Sequence, residues 1–455
     1  MGRHHGRGAS ARASLSNGAD VALCTADGDD GGMLTPRRLT LALVAHVLLV
    51  GNSPAQVPPQ GAAEEARAYL AAALDEVQKG SRVYTTDWQA LRTEALDTIA
   101  RAGAQTPAET YPAIRAALAR IGDPHSRLLD PTAAKLMGTK RPALATGLVL
   151  VPHTGVVAEI LPGSPAAASD LAIGDQIVAI AGVPAFAGLP HFEFGRLVRS
   201  GQRQDSSTGP LELTVRTGSA EPRSVTVAPA SCEEDIAATG RLLAGGIGYI
   251  ELHGVASGPK AAGYDDQVHA LIAQLGDGAA CGWIVDLRRN AGGKVEPMLA
   301  GIGPLAGSGK LGAYVSAHAT SEWSYDPARG SAIFEGYELA SVATPAALRD
   351  RAPVAVLTSP ITAQAGEALV VAFSGRAEAR RFGEGTRGVP VGSTTARLAD
   401  GALLVLTVTV YSDRAGTRFD GVIPPDEPVA IDWQRLGAQD DPVIAAACRW
   451  LAALR

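Results

Sequence analysis

Residues 353–367 read PVAVLTSPITAQAGE, an apolar run followed by small and polar residues. A run of β-type apolar residues leads through a short loop into AQAGE, which can begin a helix. A strand, loop and helix in this order place residue 364 over unpaired N–H groups at the positive end of the helix dipole. We therefore expect Gln364 at a position suited to acyl transfer, with the Ala365 N–H as an oxyanion donor.

A second strand end carries a diglycine turn. Residues 283–293 read WIVDLRRNAGG, in which the apolar run ends at residue 287. Glycine leaves the backbone N–H groups of such a turn free of a covering side chain. The sequence therefore predicts that Gly292 and Gly293 supply the other half of an oxyanion hole.

The chain from about residue 245 alternates strand and helix patterns. Strands are predicted at 247–252, 283–287, 355–358 and 403–410, and helices at 265–275 and 365–374. Such alternation favours helices packed on a mixed sheet. We predict an α/β core over residues 240–435 and a carboxyl-terminal helix over 436–455.

Two further regions precede this core. Residues 60–140 are predicted to form a helical domain, with helices at 62–78, 87–101 and 107–121 followed by a loop that reads GDPHSR. Residues 143–230 contain short β-type runs separated by turns, with an amphipathic stretch at 192–200. The chain of 455 residues is thus predicted to be a multidomain α+β protein.

The amino-terminal 55 residues differ from the rest. Residues 1–32 are rich in Gly, Arg and Asp and are interpreted as disordered or as a mis-called upstream extension. Residues 33–55 start at Met33 and combine two arginines, an apolar run at 39–50 and small residues at 53–55. This pattern is typical of a signal peptide, and the run is shorter than the roughly 20 residues that span a bilayer. An uncleaved amino-terminal anchor is the alternative.

Composition excludes some classes of function. The net charge of −6 gives no basic surface for nucleic acid. The sequence lacks a phosphate-binding loop, a dinucleotide fingerprint and a metal-ligand cluster, so no cofactor and no metal are predicted. Cys232, Cys281 and Cys448 would remain in a mature chain, and their wide spacing leaves open whether any two form a disulfide.

Several motifs together resemble one known family. They are residues 286–293, 353–367, FGEGTRG at 382–388 and GVIPPD at 421–426, behind a module with TGLV at 146–149 and LPGSPA at 161–166. The set resembles the tail-specific, carboxyl-terminal processing serine peptidases, and within them the branch of the nisin-resistance protein. The resemblance implies an amino-terminal helical domain, a PDZ domain over 143–230 and a crotonase-like peptidase core.

The PDZ resemblance implies a peptide-binding site. A glycine at the mouth of an edge strand lets backbone N–H groups converge on a peptide carboxylate, and the open edge can pair with the peptide. Gly147, Leu148 and Val149 are the candidates for this role. Alternatively, Gly147 only makes a turn, and the groove is filled by segments of the same chain.

The sequence departs from the family at the catalytic positions. The resemblance places the nucleophilic serine at Gln364, whose amide has no oxygen able to form an acyl-enzyme. The lysine of many members corresponds to Val389, and the histidine base of the nisin-resistance-like branch corresponds to His125. His125 is either that base or a structural loop residue.

Two other polar residues lie close to Gln364 in the sequence. Glu367 matches an acidic family position and either orients a neighbouring side chain or only favours the helix dipole. Ser359 is an alternative nucleophile, and a turn role is expected for it.

Two functions follow from these observations. One is an exported tail-specific serine peptidase homologue, acting on carboxyl-terminal tails of proteins or peptides, whose nucleophile position is substituted. The other is a non-catalytic peptide-binding pseudopeptidase. In both, the partner is a protein or peptide tail, the location is periplasmic or secreted, and no membrane span remains after signal cleavage.

Overall fold

The computed structural model describes residues 60–81, 83–138, 146–185, 197–198, 209–230, 238–255, 262–345 and 352–454. The predicted upstream extension and signal peptide lie outside these residues. Within the described part, no helix is both long and apolar enough to cross a membrane.

The helices and strands are numbered in chain order. The helices are α1 (Gln60–Gly80), α2 (Trp88–Ala102), α3 (Tyr111–Arg120), α4 (Pro131–Gly138), α5 (Tyr264–Gly276), α6 (Val295–Ala306), α7 (Ala365–Phe373) and α8 (Pro442–Ala453). The first strands are β1 (Arg127–Leu129), β2 (Leu148–Leu150), β3 (Val157–Ile160), β4 (Gln176–Ile180), β5 (Val183–Pro184), β6 (Leu211–Arg216), β7 (Arg223–Val227), β8 (Thr239–Leu243), β9 (Ile247–Glu251) and β10 (Gly282–Asp286). The later strands are β11 (Gly309–Val315), β12 (Thr320–Asp326), β13 (Ser331–Phe334), β14 (Tyr337–Ser341), β15 (Val354–Thr358), β16 (Ala379–Gly383), β17 (Val391–Arg397), β18 (Leu403–Asp413), β19 (Arg418–Phe419) and β20 (Glu427–Pro428).

Helices α1 to α3 do not close a hydrophobic core of their own. Asp87 caps α2, since its carboxylate accepts the Ala90 N–H at 3.0 Å. The apolar faces of the three helices pack together with Leu404 and Leu406 of β18. Three short helices leave one apolar face uncovered, and a strand some 300 residues later in the chain covers it.

The region 146–230 forms a separate small β structure. Strands β2 and β3 pair antiparallel, and β5, β4, β6 and β7 form a four-stranded sheet in that order. Residues from both sheets share one hydrophobic cluster, which includes Leu148, Val157, Ile177 and Leu213. Only residues 197–198 of the predicted amphipathic stretch are described, and they are helical.

The sheet that positions the site has the order β20-β16-β15-β10-β9-β8. Its strands are parallel except β8, which pairs antiparallel with β9. Helices α5, α6 and α7 cover one face of this sheet, and α8 covers the other. The predicted strands and helices of the core thus lie close to their expected positions.

A second, antiparallel sheet was not predicted from the sequence. Its order is β1-β18-β11-β12-β13-β14, and β17 and β19 pair with the other edge of β18. Residues of this sheet share the hydrophobic core of α6 and α7. The two helices therefore lie between two sheets, rather than on one mixed sheet, and their amino-terminal ends are where the candidate site lies.

Candidate active site

A buried ion pair holds the strand end that leads to the diglycine turn. Arg288 is fully buried and donates to Asp286 at 2.6 Å and to Asp441, the residue that caps α8, at 2.8 Å. Tyr249 also donates to Asp286, at 2.8 Å. These contacts tie the end of β10 to the carboxyl-terminal helix and fix where the turn begins.

The turn itself depends on glycine. Gly292 and Gly293 have φ angles of 105° and 127°, which side chains strongly disfavour. The buried Asn290 side chain accepts the Gly292 N–H at 3.1 Å. Asn290 also accepts the Ala363 N–H through its carbonyl at 3.0 Å, which joins the turn to the loop before Gln364.

Gln364 lies against the diglycine turn, as the sequence predicts. A Cβ placed on Gly292 would be 3.0 Å from the Gln364 Cβ, so the two residues are in contact. The Gln364 side chain is exposed, while Ala363 and Ala365 on either side of it are buried.

The backbone of Gln364 is strained. Its φ of 50° and ψ of −112° place it outside the regions that residues other than glycine prefer, at a cost of about 1–3 kcal/mol. A strained residue between a strand and a helix holds its side chain out into the cleft, as the nucleophile elbow of hydrolases does. The backbone at 364 thus has the form expected of a nucleophile position.

The free backbone donors differ in part from those predicted. The Gly292 N–H is already bound by the Asn290 side chain, which counts against its predicted role as an oxyanion donor. Within the described residues, the N–H groups of Gly293 and Ala365 have no acceptor. These two donors flank Gln364 from the turn and from the start of α7.

Glu367 is the buried carboxylate that holds this site together. It is fully buried and accepts the N–H of Gln364 at 2.8 Å, the hydroxyl of Thr386 at 2.6 Å, and the N–H groups of Gly388 and Val389 at 2.8 and 3.0 Å. Burial raises the pKa of the Glu367 carboxyl, and the hydrogen bonds from Thr386 and the backbone oppose that rise. The carboxylate therefore connects the elbow with the loop 386–389.

His125 is positioned by a separate set of contacts. The buried Asp123 accepts the His125 N–H at 2.9 Å and the Thr407 hydroxyl at 3.2 Å, which fixes the loop on β18. The His125 Nε2 lies 2.8 Å from the carbonyl oxygen of Asp420. Because a carbonyl only accepts, this contact requires a proton on Nε2 and leaves Nδ1 as the basic nitrogen.

No hydrogen bond joins His125 to Gln364, both of which are described. An indirect connection runs through the segment after Asp420. The Ile423 N–H donates to the Thr386 hydroxyl, which in turn donates to Glu367. One connection from His125 to the elbow therefore runs through residues 420–423 and Thr386.

The predicted carboxylate loop of the β module is partly engaged by its own chain. Gly147 has a φ of 79°, and a side chain there would overlap Ser164. The Gly147 carbonyl accepts the Leu161 N–H at 2.8 Å, and the Leu148 N–H donates to the Thr146 hydroxyl at 3.3 Å. Val149 pairs with Glu159 across β2 and β3.

The β module contacts the core beside the elbow. Arg289 donates to Glu159 of β3 at 3.0 Å, and it follows Arg288 directly in the strand end described above. Val149 and Trp433 pack around a small cluster that contains Ile361, from the loop before Gln364. Both contacts connect the β2–β3 pair to the two loops that form the site.

The roles of several site residues could not be read from the sequence. Asp441, Thr386 and Asp420 each reach the site from a distant segment, and their roles depend on contacts that one sequence does not reveal. Asp286 could have been noticed as a charge at the end of a buried strand. Cys281 and Cys448 are free thiols, and Cys232 lies outside the described residues.

Comparisons with known proteins agree with this geometry. Residues 246–429 match the model of Peptidase family S41. The chain therefore carries a peptidase family S41 domain, which confirms the family that the motifs resemble.

Two relatives support the same family, and one of them is a nisin-resistance protein. The chain is 27% identical to the carboxyl-terminal-processing protease of Picosynechococcus sp. (strain ATCC 27264 / PCC 7002 / PR-6) over 357 residues, which cover 74% of this chain and 78% of that protein. It is 29% identical to the nisin-resistance protein of Lactococcus lactis subsp. lactis over 180 residues, or 37% of this chain and 54% of that protein.

A solved structure shares the fold. The photosystem II D1 C-terminal processing protease superposes with a TM-score of 0.56 and 20% identity, over 80% of this chain and 92% of that structure. The family match and the sequence relatives together show that the chain is homologous to carboxyl-terminal-processing proteases of family S41.

Proposed function

We propose that this chain is an exported, non-catalytic member of family S41 that binds the carboxyl-terminal tail of a protein or peptide. The observation that carries the proposal is Gln364 at the strained elbow between β15 and α7. A carboxamide has neither a proton that can be removed near neutral pH nor an oxygen able to form an acyl-enzyme.

The neighbouring hydroxyl groups do not replace the missing nucleophile. Ser359 is fully buried; its Oγ donates to the Arg288 carbonyl at 2.6 Å and accepts the Ile361 N–H at 3.0 Å. Thr362 is equally buried and donates to the Leu287 carbonyl at 2.8 Å. Both hydroxyls stabilise the loop. They are buried, whereas a peptide would have to bind on the solvent-exposed side.

The remaining cleft is suited to holding a peptide backbone. The N–H groups of Gly293 and Ala365 flank Gln364, and the amide of Gln364 can both donate and accept. The start of α7 adds the positive end of a helix dipole, which favours a carbonyl or carboxylate oxygen. A peptide bound here would be held by hydrogen bonds and not attacked.

The β module is proposed to capture the tail through residues 147–149. Within the described residues, β2 pairs only with β3, so its other edge is available to an added strand. The ion pair of Arg289 with Glu159 holds this edge beside the elbow. A tail captured at β2 would therefore be led toward Gln364.

The decisive experiment separates binding from cleavage. The protein is incubated with a fluorophosphonate probe and an unstructured protein substrate, and tail peptides are titrated by fluorescence polarisation. We expect no labelling, no cleavage, and binding that weakens when the terminal carboxylate is amidated. Cleavage by the parent protein would contradict the proposal.

Two variants test the site itself. Gln364→Ser restores a hydroxyl at the elbow, and activity that appears in it and disappears with His125→Ala would show that the cleft is intact apart from the nucleophile. Ser359→Ala is the matched control, because it removes a hydroxyl that we do not place in the reaction. Labelling of the parent that depends on Ser359 would instead support a peptidase with a relocated nucleophile.

A further inference from the structure

One buried carboxylate beside the site has no partner. Glu296 is the second residue of α6, three positions after Gly293, and its side chain is only 8% exposed. Among the described residues it forms no hydrogen bond and no ion pair. The start of the helix favours a negative charge there, and the carboxylate oxygens are not among the fully buried unpaired atoms, so a cation can reach them.

An aromatic cluster lies on the sheet face that α6 covers. Tyr314 pairs directly with Tyr411, and Trp323 pairs with Phe334 and with Gly312, two residues before Tyr314. Side chains two residues apart on a strand share a face, so all four rings lie on one side of the sheet.

The rings are close to one another. The Tyr314 ring centroid lies 5.3 Å from those of Trp323 and Tyr411 and 6.0 Å from that of Phe334. Trp323 is fully buried and Tyr411 nearly so, whereas Tyr314 and Phe334 are only half-buried. The cluster is therefore closed to solvent at Trp323 and Tyr411 and partly open to solvent at Tyr314 and Phe334.

Glu296 lies on the face of α6 that packs against this sheet. Gly303, two helical turns later on the same helix face, contacts the ring of Tyr325, which shares a strand face with Trp323.

Burial raises the pKa of the Tyr314 phenol, and the negative charge of Glu296 raises it further. The pKa of Tyr411 is raised by burial, by Tyr314, and by the charges of Glu367 and Glu296. The Val389 N–H donates to Glu367, and the carbonyl of the next residue, Pro390, accepts the Tyr411 N–H at 3.0 Å, so the cluster lies next to the elbow.

We propose that Glu296 and the rings of Tyr314, Phe334 and Tyr411 form a subsite for the guanidinium or ammonium group of a basic side chain in the bound peptide. A carboxylate beside aromatic faces is the combination that attracts an organic cation. An apolar side chain would leave Glu296 unpaired, and an acidic one would meet the charges of Glu296 and Glu367. This assignment deepens the proposed function and rests on it.

The first test uses a probe that needs no tail capture. Acetyl-arginine amide and its neutral isostere acetyl-citrulline amide are titrated into the whole protein and followed by calorimetry. We expect roughly tenfold tighter binding of the arginine compound, the effect of about one charge-assisted hydrogen bond. Equal affinity for the two compounds would overturn the proposal.

The matched variants are Glu296→Gln and Glu322→Gln. Glu322 lies on the opposite face of β12, is exposed, and pairs with Lys310 at 2.7 Å. The arginine preference should disappear in the first variant and persist in the second. Preference that survives Glu296→Gln would refute the subsite. Should that variant fail to fold, Tyr314→Leu is expected to weaken arginine binding alone, and unchanged binding would again refute it.

A peptide series distinguishes this inference from the proposed function. Arginine is moved through the last six positions of an otherwise neutral tail peptide, with citrulline at the same positions as control. Peptides that bind without any arginine preference would refute the subsite and leave the proposal of tail binding intact. Arginine-selective binding of the small amide without binding of any peptide would refute the proposal of tail binding and leave that of the subsite intact.

Discussion

The elbow at Gln364 and the loop that carries His125 are held in different ways. The elbow is fixed by buried backbone and carboxylate contacts, from Asn290 on one side and Glu367 on the other. The His125 loop is fixed on β18 through Asp123, and His125 itself remains partly exposed. The contacts from Asn290 and Glu367 reach the backbone N–H groups of Ala363 and Gln364, so they hold the elbow without requiring a hydroxyl at 364.

The largest expected effect comes from the ion pair beneath the elbow. Arg288→Met leaves Asp286 and Asp441 buried without their cation, and we expect a loss of about 3–5 kcal/mol in the free energy of unfolding. Urea unfolding followed by circular dichroism measures it. Arg329→Met, an exposed control, should change stability by less than about 1 kcal/mol. Similar losses in the two variants would contradict the assigned role.

Acid should destabilise the folded protein by protonating Asp286 of the same ion pair. Although burial alone raises the pKa of Asp286, Arg288 outweighs it and holds that pKa below its ordinary value of about 4. A carboxylate with a lowered pKa stabilises the folded protein. This contribution is complete above the ordinary, unfolded-state pKa and is lost as the pH falls through the lower folded-state pKa. Urea midpoints between pH 6 and pH 3 should therefore fall. Arg288→Met should show a smaller fall, and an equal one would exclude Asp286 as its source.

Glu367→Gln tests the elbow directly. The amide keeps the shape but offers one acceptor oxygen to donors that now share two, so we expect a loss of about 1–3 kcal/mol. We also expect weaker peptide binding, because the start of α7 loosens. Glu384→Gln, which changes a carboxylate outside this set of contacts, is the comparison for binding. Unaltered stability and binding in Glu367→Gln would show that the elbow does not depend on Glu367.

Asp123→Asn tests the other loop. It weakens the contacts to His125, Ser126 and Thr407, and we expect a loss of about 1–2 kcal/mol. Tail binding to the parent elbow should stay the same, whereas any activity of Gln364→Ser should fall. A drop in tail binding equal to that of Glu367→Gln would mean that the two loops act as one unit.

The smallest effect is a gain in stability. Gln364→Gly removes the strain of a positive φ, and we expect the protein to be about 1 kcal/mol more stable. Gln89→Gly, on the exposed side of α2, should destabilise by a similar amount because its backbone is helical. Thermal melts of both variants provide the check. Destabilisation by Gln364→Gly would show that the side chain stabilises the elbow.

The elbow was predictable because its determinants are local or follow from parallel strands. β10 and β15 are neighbours and parallel, so the turn after one and the loop after the other meet at the same edge of the sheet. Gln364, Gly292 and Ala365 could therefore be placed together from strand patterns and motifs alone.

Other parts of the site could not be predicted in this way. The sheet that contains β11 to β14 consists of short strands of mixed polarity, which give a weak signal in one sequence. The hydrogen bond from Asn290 to the Gly292 N–H, and the contact of His125 with Asp420, depend on side-chain placement. Such contacts arise from tertiary packing, which periodicity and motifs do not encode.

The dependence of the first helices on β18 has a consequence for how the chain folds. Tyr69 of α1 donates to Asp400 at 2.7 Å, a contact between residues 331 positions apart. Closure of the amino-terminal core must therefore wait until most of the polypeptide is available, and contacts so distant in sequence are slow to form. The amino-terminal helices therefore cannot complete their core before the rest of the chain is available. A fragment that stops before residue 400 would expose the hydrophobic faces of its helices to water.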